Sequence, residues 1–325
     1  MNFRIIGVLG LLFFLLSGCS DEVFQEAKVD SSHEKQEKIV FHDPSFEKEI
    51  RSLLGEKEGD LSETDLQTIE EFEGNAKIKS YKDLKYLKNL NKLVLPPGSK
   101  DIEAIERLNH LEELHMSPNK ENLKILTSSL TELKNLHNLW LNNSNLGSYD
   151  FLNQPSDLEE IHISGDSLTE LPAWPKMKNL KKLFMDSNKI NNIQNLKLYP
   201  QLSNLSLEFN QIKDISPIAE LHNLEYIDFA NNNIGDISSI EQLGKLKGAY
   251  LQNNKNKDLS PLKNKAHLTD LQLVSNQISD IAPISTLPVI QRLYIFNNPL
   301  SDLSLKLLKK WKEGNKEIFY ENEHA

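Results

Sequence analysis

A curved solenoid of stacked strand-and-turn units is the fold class that the sequence predicts. The first observation is the frame L-x-x-L-x-L-x-x-N, as in LKKLFMDSN from Leu180 and LTDLQLVSN from Leu268. The second is a phrase with apolar residues three apart, as in NQIKDISPIAEL from Asn210. The third is a 22-residue spacing between the asparagines that close six such frames, which are Asn188, Asn210, Asn232, Asn254, Asn276 and Asn298.

This period and this frame together are typical of leucine-rich repeats. The L-x-L alternation gives each unit a short strand with one apolar side, and units must stack to bury it. Apolar spacing of three suits a 3₁₀ or tight helical turn, and Pro217, Pro261 and Pro283 fit the first turn of such a segment. We therefore expect an α/β solenoid, a right-handed curved horseshoe. Parallel β-strands should line its concave face, and short 3₁₀ or helical turns its convex face.

The recurring asparagines predict a hydrogen-bonded ladder beside the sheet. Just after each strand the chain turns inward and leaves backbone N–H and C=O groups without strand partners. A buried Asn amide can both donate to and accept from such groups, within and between repeats. The alternative is that each Asn is only a turn residue, because Asn is common in turns. Six asparagines in strict register favour the ladder.

The frame extends towards the N-terminus with growing departures. Two copies keep the 22-residue length but carry Ser144 and Asp166 in place of the ladder Asn. The copy before them has 25 residues, and the one from Leu90 has 21. We count about ten repeats over residues 90–303. An unusual local shape is therefore expected between Leu90 and Asp166.

The N-terminal end of the solenoid should carry a cap, since an exposed end would leave apolar side chains and an unpaired strand edge in water. Over residues 39–89 we expect a helical cap and a degenerate first repeat. Asp43 and Pro44 predict the start of a helix. The apolar face of that helix should contain Phe46, Ile50, Leu53 and Leu54.

A second cap is expected over residues 304–325. The segment from Ser301 predicts an amphipathic helix with Leu303, Leu307, Leu308 and Trp311 on its apolar face. A last strand from Glu317 to Tyr320 can pair with the final repeat. Both caps are expected to be structural.

Residues 1–18 predict an export signal, with Arg4 followed by an apolar stretch too short for a comfortable membrane span. The stretch ends in Leu16-Ser17-Gly18-Cys19, which resembles the bacterial lipobox, in which the Cys is lipidated and begins the mature chain. Cys19 is the one cysteine of the sequence, as expected for a thiol that carries lipid. The alternative is an ordinary signal with a chance Cys. Residues 19–38 are polar and predict a flexible tether to the membrane.

Composition and motifs argue against several functions. The chain has 47 acidic and 37 basic residues and no basic patch with interleaved aromatics, so nucleic acid is not expected as a partner. None of the common protease, hydrolase or phosphate-loop motifs occurs. His115 and His162 share one outward row, but Trp140 lies between them, and they are about 9–10 Å apart at two strand spacings. We therefore expect no catalytic site, metal or cofactor.

Large aromatic residues at outward strand positions are the candidates for ligand binding, because the leucines already fill the core. The predicted contacts are Trp140, Phe184, Phe209, Tyr226, Asp228, Tyr250, Arg292, Tyr294 and Phe296. Polar selectivity is expected from Glu160, Lys182, Asp186, Glu208, Asp228, Asp270 and Arg292. The alternative is that neighbouring outward side chains only pack against one another across the strands.

The phrases NQIKDISPI and NQISDIAPI, the DPSFEKEIRSLLG cap and the terminal NNPLSD resemble the internalin-type class of bacterial leucine-rich repeat proteins. The resemblance covers residues 39–325 and implies protein recognition at the cell surface through the concave face. The lipobox, the missing wall-anchor signal and the lack of room for an immunoglobulin-like domain depart from that class, so a role in host invasion does not follow.

The expected function is that of a monomeric bacterial lipoprotein, anchored facing outward on the cell membrane and binding a protein ligand. The alternative is an envelope-structural or carbohydrate-binding lipoprotein that uses the same aromatics to stack on sugar rings. An enzymatic role is disfavoured because no catalytic motif supports it.

Overall fold

The computed structural model describes residues 38–55, 57–154, 156–313 and 317–320. Its central element is one open sheet of twelve parallel strands, paired in the order in which they occur along the chain. This arrangement confirms the predicted leucine-rich repeat solenoid. The strands are β1 Glu71–Glu73, β2 Lys92–Val94, β3 Glu113–His115, β4 Asn138–Trp140, β5 Glu160–His162, β6 Lys182–Phe184, β7 Asn204–Ser206, β8 Tyr226–Asp228, β9 Gly248–Tyr250, β10 Asp270–Gln272, β11 Arg292–Tyr294 and β12 Glu317–Phe319.

Each strand is three residues long and buries its middle residue, while the two flanking side chains face outward on the concave side. The convex side is built mainly from 3₁₀ turns. These span Lys82–Tyr86, Glu103–Arg107, Asp150–Leu152, Gln194–Leu198, Ser216–Glu220, Ser238–Gln242, Ser260–Leu262 and Ala282–Ile284. Pro217, Pro261 and Pro283 stand at the start of their turns, as predicted.

The ladder asparagines lie between the strands and the convex turns, and Asn210 shows their bonding. Its Nδ2 donates to the carbonyls of Met185, Leu207 and Glu208 at 3.0–3.1 Å. Its Oδ1 accepts the N–H of Ile190 at 2.8 Å. One side chain thus satisfies backbone groups of two consecutive repeats, which ties their register together.

The N-terminal cap contains helix α1, Pro44–Leu53, and helix α2, Glu63–Leu66. The Asp43 carboxylate accepts the N–H groups of Ser45 and Phe46 and caps α1, as expected. Phe46 packs against β1 with its ring centroid 4.8 Å from that of Phe72. Leu53 does not join the predicted apolar face, because it lies at the last turn of α1 and is 49% exposed.

The C-terminal cap consists of helix α4, Asp302–Lys312, and strand β12, which pairs in parallel with β11. Leu308 is fully buried, while Leu303 is 63% exposed, so Leu303 does not belong to the packed face of the helix. The predicted helix-and-strand cap is otherwise as expected.

The irregular part of the solenoid lies in its N-terminal half, and its main cause is the extra length of one repeat. The 25-residue repeat carries helix α3, Leu123–Glu132, in place of a 3₁₀ turn. Downstream, the repeat that contains Trp174 has no 3₁₀ turn, and the indole is buried with its Nε1–H donated to the Tyr149 carbonyl at 2.9 Å. Larger side chains therefore fill this part of the core.

No helix among the described residues is both long and apolar enough to cross a membrane. The expected signal, Cys19 and nearly all of the expected tether lie outside the described residues.

Candidate binding surface on the concave face

The third residues of successive strands are aligned by the strand register into one row along the concave face, which we call the central row. Strand register places His115 beside Trp140, then His162, Phe184, Ser206, Asp228 and Tyr250. Neighbouring strands are about 4.8 Å apart, so side chains in this row are in direct reach of one another. The row is the scaffold on which the candidate site is built.

Four consecutive members of the central row form a stack of rings, the aromatic column, made of His115, Trp140, His162 and Phe184. Centroid separations are 4.0 Å for His115–Trp140, 4.6 Å for Trp140–His162 and 4.2 Å for His162–Phe184. The ring planes lie within 9–19° of parallel. Both faces of Trp140 are therefore covered, and so is one face of Phe184. The cross-strand packing considered as the alternative is present here.

Two carboxylates hold the imidazoles of the column in place. Glu113 bonds Nε2 of His115 and Glu160 bonds Nε2 of His162, both at 2.7 Å. Burial lowers the pKa of His162, although its bond to Glu160 acts in the opposite direction. The His162 ring is therefore neutral at pH 7 and serves as a flat packing surface rather than as a charge.

The aromatic column ends at Phe184, and the concave face then becomes acidic. Asp186, Glu208 and Asp228 form this acidic patch around the small side chain of Ser206. Asp186 Oδ1 accepts the Ser206 hydroxyl at 2.5 Å and the Glu208 N–H at 2.8 Å. Asp228 Oδ1 accepts the Ala230 N–H at 2.9 Å.

Burial controls the protonation of the patch. It raises the pKa of Asp186, and it raises the pKa of Asp228 to about 7. The charges of Glu208 and Asp186 raise the Asp228 value further. Asp228 therefore changes charge near neutral pH, where an ordinary aspartate is fully ionised.

Tyr226 and Tyr250 lie beyond the acidic patch. Tyr250 is opposite Asp228 in the register of β8 and β9. The Tyr226 ring lies across β9 at Gly248, where an added Cβ would stand 2.7 Å from the ring Cδ1. The absence of a side chain at Gly248 is what lets this ring lie flat, and Tyr226 remains 38% exposed.

Phe209 is the most exposed aromatic residue of the predicted set. It follows β7 at a position with φ of +52°, and 54% of it is exposed. The corresponding position in other repeats also has positive φ but holds Asn, Ser or Gly, as at Gly165, Ser187 and Asn231. A bulky residue rarely adopts this left-handed conformation. Its backbone N–H bonds the Ala230 carbonyl, which places Phe209 at the border of the acidic patch.

The remaining predicted contacts lie near the C-terminal end of the sheet. Tyr294 stacks on Phe319 of β12 at 4.5 Å, and Arg292 forms an ion pair with Asp270. Phe296 is half-buried. This group is separated from the acidic patch by β9 and β10, so the predicted residues fall into two groups rather than one site.

Sequence reasoning named the members of the acidic patch but did not group them. The signal was present in the frame alignment, since Asp186 and Glu208 occupy the same position of successive repeats and Asp228 is one strand further on. The frame also places His115 and His162 on either side of Trp140 in the outward row, but it does not show that the three rings stack. Among the described residues, no group of three or more His, Cys, Asp or Glu side chains could hold a metal ion.

Comparisons with known proteins agree with this architecture. A family model described as Leucine Rich repeats (2 copies) matches residues 200–243. No curated protein matches the chain significantly. An internalin (inlF) from Listeria monocytogenes is 23% identical, with a TM-score of 0.65 over 82% of this chain and 86% of that one.

The functional domain of InlJ from Listeria monocytogenes, which includes a cysteine ladder, is 19% identical with a TM-score of 0.61. That match covers 86% of this chain and 59% of the InlJ chain. At these sequence identities, the structural similarity is evidence for the fold alone. The chain therefore has a leucine-rich repeat fold similar to that of the internalins, as the repeat phrases indicated.

Proposed function

We propose that this protein is a lipid-anchored bacterial surface protein that binds a protein ligand through the concave face of its repeats. The observation that carries the proposal is the exposure of Phe209 and Tyr226, 54% and 38%, beside a core that is already filled by leucine and isoleucine. Large exposed aromatics of this kind are enriched at protein–protein interfaces. No catalytic role is part of the proposal.

A protein ligand fits the surface better than a carbohydrate does. Stacking on sugars needs free ring faces, and both faces of Trp140 are covered by histidines. Tyr294 likewise has one face against Phe319. The free aromatic surface is concentrated at Phe209 and Tyr226, which flank the acidic patch.

The binding proposal can be tested by capture from envelope and medium fractions. The full chain and a Phe209→Ser/Tyr226→Ala double variant serve as baits, with Val289→Ser as a control because Val289 is an exposed apolar residue outside the strands. We expect one or more proteins that the wild type and the control retain and the double variant loses. Equal retention by all three baits would contradict the use of the concave face, and glycan without protein would support the carbohydrate alternative.

The anchor proposal rests on the Leu16-Ser17-Gly18-Cys19 motif. Cys19→Ala should prevent lipid attachment and move the protein from the membrane fraction to the medium or to an unprocessed form. Metabolic labelling with a fatty acid and fractionation provide the readout. Unchanged membrane association with normal processing would show that Cys19 is not the anchor.

A further inference from the structure

The outward-facing carboxylates of strands β2 to β11 differ in whether they have an ion-pair partner. These strands contain four carboxylates, Glu113, Glu160, Asp228 and Asp270. Three of them form an ion pair with a basic residue on a neighbouring strand, and the pairs are Lys92–Glu113, Lys182–Glu160 and Arg292–Asp270. Among the described residues, Asp228 has no such ion pair.

Among the described residues, the other two carboxylates of the patch also have no ion-pair partner. Asp186 is bonded by the Ser206 hydroxyl and a backbone N–H, and Glu208 accepts the Asn231 amide at 3.0 Å. No described Lys or Arg forms a salt bridge with either. The imidazole of His162 is close enough to interact electrostatically with Asp186, but burial lowers the pKa of His162 and favours its neutral form at pH 7. Among the described residues, the groups that hydrogen-bond the carboxylates of the patch are therefore all neutral.

Aromatic rings border the patch on several sides. Phe184 ends the aromatic column one strand before Ser206, and Tyr250 stands opposite Asp228. Tyr226 lies on the same strand and the same face as Asp228, and Phe209 bonds the backbone of Ala230 next to it. A cation above the carboxylates would therefore lie near several aromatic rings, and any ring that turned its face towards the cation would attract it.

We infer that the acidic patch receives a Lys or Arg side chain from a basic segment of the protein ligand. This inference rests on the proposed function and specifies the chemistry of the partner. Charge complementarity supports it, since a cation from the ligand would supply the ion pairs that the other strand carboxylates already have within the chain. A metal ion is not the expected occupant, because the described side chains do not converge on a metal-sized site.

The inference can be tested with peptides of defined charge. The probe is an array of 12-residue peptides containing Arg or Lys, each paired with the same peptide carrying citrulline or acetyl-lysine. The full chain is compared with an Asp186→Asn/Asp228→Asn variant, whose amides keep the oxygen acceptors of the existing bonds. An Asp214→Asn/Asp236→Asn variant makes the same two replacements at carboxylates outside the patch, which accept the N–H groups of Ser216 and Ser238.

We expect wild type and the Asp214/Asp236 control to bind a subset of charged peptides. The neutral partners and the Asp186/Asp228 variant should each weaken binding about tenfold or more. The Phe209→Ser/Tyr226→Ala variant should also weaken it. Circular dichroism checks that each variant is folded.

The outcomes separate this inference from the proposed function. Citrulline and acetyl-lysine peptides could bind as well as the charged ones, with only the aromatic variant losing binding. That result would contradict a Lys or Arg in the acidic patch and would still support binding at the concave face. If bound peptides are indifferent to both concave variants, or no peptide binds, the inference is overturned, and indifference to both variants contradicts the concave site as well.

Discussion

Asn256 donates its side-chain Nδ2–H to Oδ1 of Asn276 at 2.9 Å, while its own Oδ1 is buried without a hydrogen-bond partner among the described residues. Asn256 occupies the place in its repeat that Ile234 and Ile278 occupy in the repeats on either side, and all three side chains are 0% exposed. A polar amide therefore interrupts an otherwise apolar row in the core.

Replacing Asn256 with Ile should raise the free energy of unfolding. The substitution removes a buried, half-satisfied amide and restores apolar packing, for which we expect about 1–3 kcal/mol. Urea unfolding followed by circular dichroism measures the change. The reverse substitution, Ile234→Asn, is the matched control and should destabilise. A lower unfolding midpoint for Asn256→Ile would show that its bond to Asn276 is worth more than the apolar contacts.

Replacing Asp166 with Asn should also stabilise the protein, and the gain should depend on pH. Asp166 accepts the Ser144 N–H at 2.6 Å, but a carboxylate has no N–H for the carbonyls that ladder asparagines bond. Burial raises the pKa of Asp166, so the folded state prefers the protonated carboxyl. The stability that this preference contributes is present below the ordinary pKa of aspartate and is lost as pH rises through the raised pKa. We expect a gain of about 1–2 kcal/mol at pH 7 and a smaller one at pH 3. Asn210→Asp is the control and should destabilise at pH 7; an equal gain at both pH values would contradict the electrostatic cause.

The regular part of this fold follows from sequence because one residue pattern repeats. The frame fixes which side chains face inward, so the strands, the 3₁₀ turns opened by Pro217 and Pro283 and the order of the sheet can all be predicted. Helix α3 could not be predicted in the same way, because the 25-residue repeat has no second copy with which to align it.

The site was harder to predict than the fold because it depends on contacts between repeats. The frame shows that Trp140 faces outward, but only the strand register shows that His115 and His162 cover both its faces. Likewise, the sequence shows an acid at Asp228 without showing that no neighbouring strand supplies a cation. The positive φ at Phe209 is a backbone property that the aligned Asn, Ser and Gly residues of other repeats only suggest.

Replacing Asp228 with Asn should flatten the pH dependence of stability between about pH 4 and pH 7. Burial raises the pKa of Asp228 to about 7, so its protonated form favours folding below its ordinary pKa, and this contribution is lost as pH rises to the folded value. At pH 7 the variant should be more stable by about 1–2 kcal/mol, after allowance for the solvent that reaches the side chain. Unfolding midpoints across this range provide the measurement, with Asp214→Asn as the control. Parallel curves for wild type and Asp228→Asn would contradict the raised pKa.

Replacing Phe209 with Asn should stabilise the protein and weaken ligand binding at the same time. Asn tolerates the left-handed backbone at φ +52° better than Phe does, so we expect about 1 kcal/mol of added stability. Loss of a ring that is 54% exposed removes little core packing but deletes an anchor beside the acidic patch. Ser275→Asn, at the corresponding position three repeats later, is the control and should leave both properties nearly unchanged. Thermal unfolding gives the first readout, and titration of a captured ligand or peptide gives the second. If Phe209→Asn gains stability and keeps full affinity, the strained aromatic has no part in binding; if it loses stability, the ring contributes packing that outweighs the backbone conformation.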